Sequence, residues 1–192
     1  TLTLDLGDNF DTSNVTNMSY MFSNTGYNST TFTLDLGDNF DTSNVTNMAY
    51  MFRGTGRNST IFTLDVSNFD TSNVTDMSNM FNYTGYTSTN FTLDVSNFDT
   101  SNVTDMNHTF YYAGYNSTVF TLDVSNFDTS NVTNMNYMFA LAGANKSTIF
   151  TLDVSNFDTS NVTNMSNMFA YSGYRNTTFT LDVSNFDTSN VT

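Results

Sequence analysis

The chain lacks cysteine and glutamate altogether and carries few basic residues. Without cysteine, neither a disulfide framework nor a thiolate metal site can form. All 18 acidic residues are therefore Asp, against four Lys and Arg, which gives a formal net charge of −14. This surplus of negative charge disfavours nucleic acids and anionic membrane surfaces as partners, and it is compatible with cation binding.

Long apolar runs and targeting signals are missing as well. No stretch approaches the roughly 20 apolar residues that cross a bilayer, so we expect no membrane insertion by this segment. The sequence begins at Thr1 without a signal-peptide pattern, and neither end carries a polar capping repeat. We therefore expect a segment of a longer chain or filament.

The sequence is instead built from one recurring phrase, Thr-Leu-Asp-(Leu or Val)-x-Asn-Phe-Asp-Thr-Ser-Asn-Val-Thr. Successive copies are 29 or 30 residues apart and begin at Thr3, Thr33, Thr63, Thr92, Thr121, Thr151 and Thr180. A fixed period of this length is typical of a solenoid, whose units bury their apolar faces only against their neighbours. We expect residues 1–192 to form a single continuous solenoid of six full repeats plus a partial seventh.

Each repeat combines a strand pattern with a helix pattern. In the third repeat, Phe62 to Val66 alternate apolar and polar residues, which predicts a half-buried strand. Val74, Met77, Met80 and Phe81 then follow helical spacing, with Asn73 as a candidate N-cap. The expected fold is thus an α/β solenoid, leucine-rich-repeat-like, with one short parallel strand and one short helix per repeat of 29–30 residues.

A glycine recurs four residues after the phenylalanine that ends each predicted helix. It is the kind of position where a left-handed backbone excludes a Cβ atom, as at a helix C-terminus. The column comprises Gly26, Gly56, Gly85, Gly114, Gly143 and Gly173.

The run from Leu64 to Phe81, Leu-Asp-Val-Ser-Asn-Phe-Asp-Thr-Ser-Asn-Val-Thr-Asp-Met-Ser-Asn-Met-Phe, closely resembles the BspA-like, DUF285-type repeats of bacterial and mycoplasmal surface proteins. The resemblance covers essentially the whole chain. It implies a variant leucine-rich-repeat solenoid on an exported surface protein. Where such repeats usually carry a short Gly-Cys-Ser-Ser-Leu loop, this chain has a longer Gly-Tyr-x-Ser-Thr loop, which suggests a specialised outer surface.

Asn-x-Ser/Thr sequons are abundant and fall into two main columns. The Asn-Val-Thr column, which includes Asn73, coincides with the predicted N-caps and is better explained by structure. The other column lies in the lengthened loops, where glycan acceptors occur. The candidate glycosylation sites are Asn28, Asn58, Asn116, Asn145 and Asn176, with Asn82 and Asn90 as weaker candidates.

One Asp of each predicted strand faces outward, so the repeats should bring these carboxylates about 4.8 Å apart. A Ca²⁺ ladder between them is one interpretation, because Ca²⁺ takes oxygen ligands. A solvated, hydrogen-bonded column is the other, and no cofactor is required. The column comprises Asp5, Asp35, Asp65, Asp94, Asp123, Asp153 and Asp182.

Nothing in the sequence indicates an active site. The single histidine, His108, stands in a column of Tyr and Asn, as expected of a surface substitution. Near-identical repeats predict a non-enzymatic, extracellular or cell-surface structural protein, a building block of a fibre or stalk that contacts copies of itself end to end and can carry covalent glycans. The alternative is a surface adhesin that binds a host protein or glycan through the Thr/Asp sheet face.

Overall fold

The computed structural model describes residues 1–7, 9–37, 39–145 and 149–192 and shows a β-solenoid. We number its coils by repeat: coil 1 spans 3–32, coil 2 33–62, coil 3 63–91, coil 4 92–120, coil 5 121–150 and coil 6 151–179, followed by a partial coil. Each coil begins at a short strand. The strands are β1 (Leu2–Asp5), β2 (Thr31–Asp35), β3 (Ile61–Thr63), β4 (Asn90–Leu93), β5 (Val119–Leu122), β6 (Ile149–Thr151) and β7 (Thr178–Thr180).

The strands pair in parallel with equivalent residues opposite each other. In β1, β2 and β3, Thr3 faces Thr33, which faces Thr63, and the pairs β4–β5 and β6–β7 keep the same register. Phe62, Leu64 and Val66 are buried while Thr63 and Asp65 are exposed. The predicted parallel strands and their inward and outward faces are therefore confirmed.

The predicted helix is wrong. The described residues contain no helix; the segment 18–29 of coil 1 and its equivalents, here called the turn segment, is a series of overlapping reverse turns. The Met21 N–H donates to the Met18 carbonyl (3.2 Å), whereas the Tyr20 N–H donates to the Ala49 carbonyl of the next coil (3.0 Å). An α-helix would use these N–H groups within its own segment. Here alternate groups bond the neighbouring coil instead.

The N-cap assigned to Asn73 is corrected for the same reason. Its side-chain nitrogen donates to the Ser43 carbonyl of the preceding coil (2.8 Å). The equivalent asparagines of the other described coils from Asn44 onward do the same. This column therefore ties coils together and caps no helix.

The glycine column is left-handed, as predicted. Gly56 has a φ of 58°, and a Cβ atom there would lie 2.5 Å from the Phe62 ring. The reason for the glycine is thus a tight turn packed against a core phenylalanine.

The core consists of apolar side chains that stack coil upon coil. Three phenylalanine columns run along it, illustrated by ring-centroid distances of 5.5 Å for Phe32–Phe62, 5.6 Å for Phe22–Phe52 and 5.7 Å for Phe40–Phe69. Methionines from the turn segments fill the space beside them. Each coil therefore completes its core only by contact with its neighbours.

Candidate functional site

The column of outward Asp residues is hydrogen-bonded within its own turns. The Asp65 carboxylate accepts from the Ser67 hydroxyl (2.6 Å) and the Ser67 N–H (3.0 Å), and these bonds lower the pKa of Asp65. The N–H two residues on is a partner of every other Asp in the column. Among the described residues, no three His, Cys, Asp or Glu side chains are grouped to hold a metal ion. The calcium ladder stays a prediction, and the structure supplies the carboxylates with other partners.

The loop asparagines are bonded in pairs between coils. The Asn58 side-chain nitrogen donates to the Asn28 oxygen (3.0 Å), and Asn145 donates likewise to Asn116. Asn28 and Asn58 are exposed, whereas Asn116, Asn145 and Asn176 are half-buried. The first two are therefore the most accessible of the five stronger candidate glycan acceptors.

The two weaker candidates differ sharply in accessibility. Asn90 is exposed at the start of β4. Asn82 is 5% exposed, and its side-chain nitrogen donates to the Asn79 oxygen (2.8 Å). A glycan on Asn82 would require the coil to open, so the structure disfavours that site.

A broad groove lies beside the exposed Thr and Asp residues of the first coils. Its volume is about 1000 Å³, and its lining includes Asp11, Asp35, Asp41, Asp65 and Thr33. The groove is therefore acidic and polar. It is the concave part of the Thr/Asp sheet face that the adhesin hypothesis requires.

The turn segments bring together a cluster of aromatic side chains that sequence reasoning left scattered. We call this surface the tyrosine face; its residues are Tyr83, Tyr86, Tyr111, Tyr112, Tyr115, Tyr137 and His108, with Arg57 at one end. All of them are half-buried. Its aromatic residues lie in coils 3 to 5, and Arg57 lies in coil 2.

Most rings of the tyrosine face stack along the solenoid axis. The ring centroids lie 4.5 Å apart for Tyr83–Tyr112 and 5.0 Å apart for Tyr86–Tyr115, with interplanar angles of 11° and 15°. Tyr111 crosses this arrangement: its ring is 70° from the plane of Tyr112 at 4.6 Å. Stacked and edge-on contacts of this kind stabilise aromatic pairs beyond simple burial. The face is consequently a rigid surface.

The backbone beneath these side chains is unusual. Tyr83, Tyr112 and Tyr137 have φ angles of 60°, 58° and 53°, and His108 has 55°. Left-handed conformations cost residues other than glycine roughly 1–2 kcal/mol, and bulky side chains seldom adopt them. The chain therefore holds large aromatic residues at positions that Asn or Gly would occupy more easily.

Charged side chains of both signs lie at or beside the tyrosine face. The Arg57 guanidinium lies over Tyr83, 4.0 Å from the ring centroid, and forms no ion pair within the described residues. Asp76 and Asp105 occupy the equivalent position of coils 3 and 4, where the other full coils carry Asn. The negative charge of Asp105 acts on the neighbouring His108, although burial dominates and lowers the pKa of that imidazole.

Three hydroxyls of the tyrosine face, those of Tyr83, Tyr86 and Tyr111, remain protonated over a wide pH range. Burial, with smaller contributions from Tyr112 and Tyr83, raises the pKa of Tyr111 to about 12. Burial likewise raises the pKa of Tyr83 and Tyr86. These three groups can therefore donate hydrogen bonds at any physiological pH.

A comparison of the coils with one another would have located this face. The exposed Thr and Asp of the strands are the same in every coil, whereas several positions of the turn segment change from coil to coil. Outside that segment, the residue before the strand phenylalanine also varies. The four variable columns that contribute to the tyrosine face are Tyr20, Tyr50, Asn79, His108, Tyr137 and Asn167; Ser23, Arg53, Asn82, Tyr111, Ala140 and Ala170; Asn24, Gly54, Tyr83, Tyr112, Leu141 and Tyr171; and Tyr27, Arg57, Tyr86, Tyr115, Ala144 and Tyr174.

Comparisons with known proteins place the chain by family. The family model described as "Mycoplasma protein of unknown function, DUF285" matches residues 2–116 and again residues 84–192. Searches of curated proteins and of solved structures returned no match. Within the described residues, no helix has the length and apolar character needed to span a membrane.

Proposed function

This chain belongs to the DUF285 family, and we propose that it serves as a non-enzymatic structural segment of a fibre or stalk on the outside of the cell. The observation that carries the proposal is the continuous bonding between coils. Strands pair in register, and alternate backbone groups of the turn segments bond the next coil. Such a stack is a rod that extends by addition of like units.

Buried side-chain hydrogen bonds strengthen each junction. The Thr42 hydroxyl donates to the Asp70 carbonyl (2.9 Å) and accepts from the Asp70 N–H (2.8 Å) of the next coil. Thr42 is 2% exposed, and a buried threonine occupies this position in every coil from Thr12 to Thr159. Bending or slippage at a junction would leave these buried polar groups without partners, so each junction resists such movement, as a rigid fibre requires.

The first and last coils of the described residues expose apolar side chains of the kind that stack between the inner coils. Leu2 is 40% exposed and Phe10 39% at one end, and Val183 is 42% exposed at the other. At that second end, Met168, Leu181 and other apolar side chains line a groove of about 490 Å³. End-to-end contacts between different surfaces do not close on themselves, so they generate filaments.

Electron microscopy of the purified chain tests the proposal. We expect filaments whose axial repeat is a multiple of the strand spacing of about 4.8 Å. The variant Val183→Lys should shorten them by placing a charge in the end contact, whereas Thr92→Lys on the side of the rod should leave their length unchanged. Discrete particles at every protein concentration would refute end-to-end assembly.

Glycan attachment in the lengthened loops is part of the same proposal. The exposure of Asn28 and Asn58 supports it, because acceptors must be reachable from solvent. Peptide mass spectrometry of protein from its native source should find added sugar at these two sites before the half-buried ones. Unmodified peptides covering both sites would exclude the coating at these positions.

A second function, adhesion through the Thr/Asp sheet face, is favoured by the acidic groove beside that face. Its ligand would be a host protein or glycan that contacts Thr33 and Asp65. Glycan-array and extracellular-matrix binding by the wild-type chain, compared with Thr33→Lys, tests it. Binding that this substitution leaves intact would rule out the groove as the binding surface.

A further inference from the structure

The tyrosine face has features that a purely structural rod does not require. We propose that it is a docking surface for a protein partner that presents Lys or Arg side chains. This inference goes beyond the fibre function and does not depend on filament formation. It also assigns partner binding to a different surface from the Thr/Asp sheet face.

The first argument is the variation among the coils of this one chain. Residues that maintain a repeat stay the same from coil to coil, as the exposed Thr and Asp of the strands do. The turn segment breaks this sameness, and in coils 3 to 5 ring contacts join seven of its aromatic side chains into one cluster. A surface that differs locally from an otherwise regular rod provides one particular place for a partner.

The second argument is the cost of building the face. Tyr83 and Tyr112 are held at left-handed φ angles in the column where coils 1 and 2 carry Asn24 and Gly54. Strained residues of this kind persist at binding sites, where the strain serves function. The core does not need these rings, since the phenylalanine and methionine columns already fill it.

The third argument is composition. Tyrosine and arginine are enriched among the residues that dominate protein–protein binding energy, because they bring large, amphipathic contact area. Tyrosines also lose little conformational entropy on binding. Here stacking between Tyr83 and Tyr112, and between Tyr86 and Tyr115, orders the rings before a partner arrives.

Charge identifies the class of partner. Asp76 and Asp105 pair across adjacent coils beside the tyrosine face. Their carboxylates accept hydrogen bonds from neutral groups of Ser78, Asn107 and Asn134, and no cationic side chain pairs with them within the described residues. Two carboxylates about 5 Å apart repel each other by about 1 kcal/mol in water. A Lys or Arg side chain above them relieves that repulsion, and the net charge of −14 attracts a basic partner from a distance.

The ring geometry favours a protein over an oligosaccharide. The stacked tyrosines cover one another's faces, and the Arg57 guanidinium covers Tyr83, so ring edges rather than ring faces are left for a ligand over most of the cluster. Sugars that stack on aromatic residues need an open ring face. Edges and hydroxyls instead suit the backbone and polar groups of a protein surface.

The coils themselves supply variants that preserve the fold. Asp76→Asn and Asp105→Asn copy Asn47 and Asn134, Tyr83→Asn copies Asn24, and Tyr111→Ala copies Ala140. The matched control is the pair Asp94→Asn and Asp123→Asn on the sheet face, which removes the same charge. Circular dichroism and melting curves verify that each protein remains folded.

The binding experiment uses a fluorescently labelled oligo-arginine peptide, with a neutral N-acetylglucosamine oligomer as the competing ligand class. Fluorescence anisotropy should show peptide binding that falls more than about tenfold in the Tyr83→Asn/Tyr111→Ala protein, as for loss of hot-spot side chains. The Asp76→Asn/Asp105→Asn protein should lose several-fold, and the sheet-face control should lose much less.

Three results would overturn the proposal. Equal losses in the two Asp-to-Asn proteins would mean non-specific attraction by net charge. Unchanged binding in the tyrosine variant would exclude the tyrosine face. Binding of the sugar oligomer with no binding of the peptide would mean that the face recognises carbohydrate instead.

Discussion

At the scale of single residues, the left-handed backbone positions of the turn segment determine whether a substitution there raises or lowers the free energy of unfolding. Asparagine tolerates positive φ and occupies such positions at Asn24, Asn79 and Asn167. Tyr171 and Leu141 adopt the same left-handed conformation at a cost in free energy. The aromatic residues therefore represent a compromise between backbone preference and surface composition. That compromise is measurable where the side chain has few contacts.

Tyr171 is the best place to measure it, because its side chain is 64% exposed and its φ is 56°. We expect Tyr171→Asn to raise the free energy of unfolding by about 0.5–1 kcal/mol, since Asn accepts the left-handed conformation. The comparison variant Tyr171→Val should lower it, because β-branched residues fit poorly there. Urea denaturation measures both, and equal stabilities would show that the strain is negligible.

The serine partners of the Asp column set the acid behaviour of the rod. Hydrogen bonds from Ser67 hold the pKa of Asp65 below its model-peptide value of 3.8. Because the folded-state pKa is lowered, the stability it provides is present above pH 3.8 and is lost as the pH falls through the folded pKa. Hydroxyl bonds from serines similarly lower the pKa of Asp94 and Asp153.

Replacing Ser67 by Ala should therefore raise the pKa of Asp65 toward its ordinary value. The substitution removes the hydroxyl donor and keeps the backbone N–H. NMR titration of the side-chain carboxyl carbon measures the change. The pKa of Asp123, whose serine is intact, serves as the internal reference and should not move.

At the scale of elements, the strand could be predicted from sequence and the turn segment could not. Alternation from Phe62 to Val66 reports burial directly, because a strand shows its two faces in alternate residues. The spacing of Met77, Met80 and Phe81 does not distinguish a helix from overlapping turns, since both return an inward side chain after three or four residues. The distinction depends on where the N–H groups bond, and their partners are 29 or 30 residues away.

The candidate surface shows the same limit. The columns that contain Tyr83, Tyr86 and Tyr112 can be recognised from the sequence, but the contacts between the rings arise only when the coils stack in register. Asn73 illustrates the reverse error: an asparagine before an apolar stripe fits a helix cap, yet its amide bonds the preceding coil. Local patterns predict what is buried, and inter-coil partners must be seen in the structure.

Substitution of Asn73 by Asp discriminates between the two roles. Asp and Asn are about equally good helix N-caps, so a cap would tolerate the change. In the coil, the carboxylate would face the Ser43 carbonyl without a hydrogen atom to donate. We expect a loss of about 1–3 kcal/mol in the free energy of unfolding, measured by urea denaturation. A neutral result would contradict the inter-coil role.

At the scale of the whole molecule, charge accumulates along the rod. The 18 Asp residues recur at fixed positions, so like charges line up in columns. Screening by salt should relieve this repulsion and stabilise the stack. If the Asp column is solvated, any salt should stabilise the stack at the same ionic strength. If the column binds calcium, a calcium salt should stabilise the stack more than a sodium salt.

We expect NaCl and CaCl₂ at matched ionic strength to raise the melting temperature by similar amounts, because serine groups already bond the Asp carboxylates. Differential scanning calorimetry, with a chelator-treated sample as the baseline, makes the comparison. A much larger rise in calcium, abolished by Asp94→Asn, would establish the calcium ladder instead.

The in-register stacking of coils also bears on how the gene can change. Excising residues 92–120 would join Phe91 to Thr121 and recreate the Phe-Thr junction at which every coil after the first begins. The coils brought together would present the same phenylalanine, threonine and asparagine partners to each other. Recombination between repeats can therefore lengthen or shorten the protein by whole units while each surviving junction keeps its chemistry, so the reach of the rod is free to evolve separately from its fold.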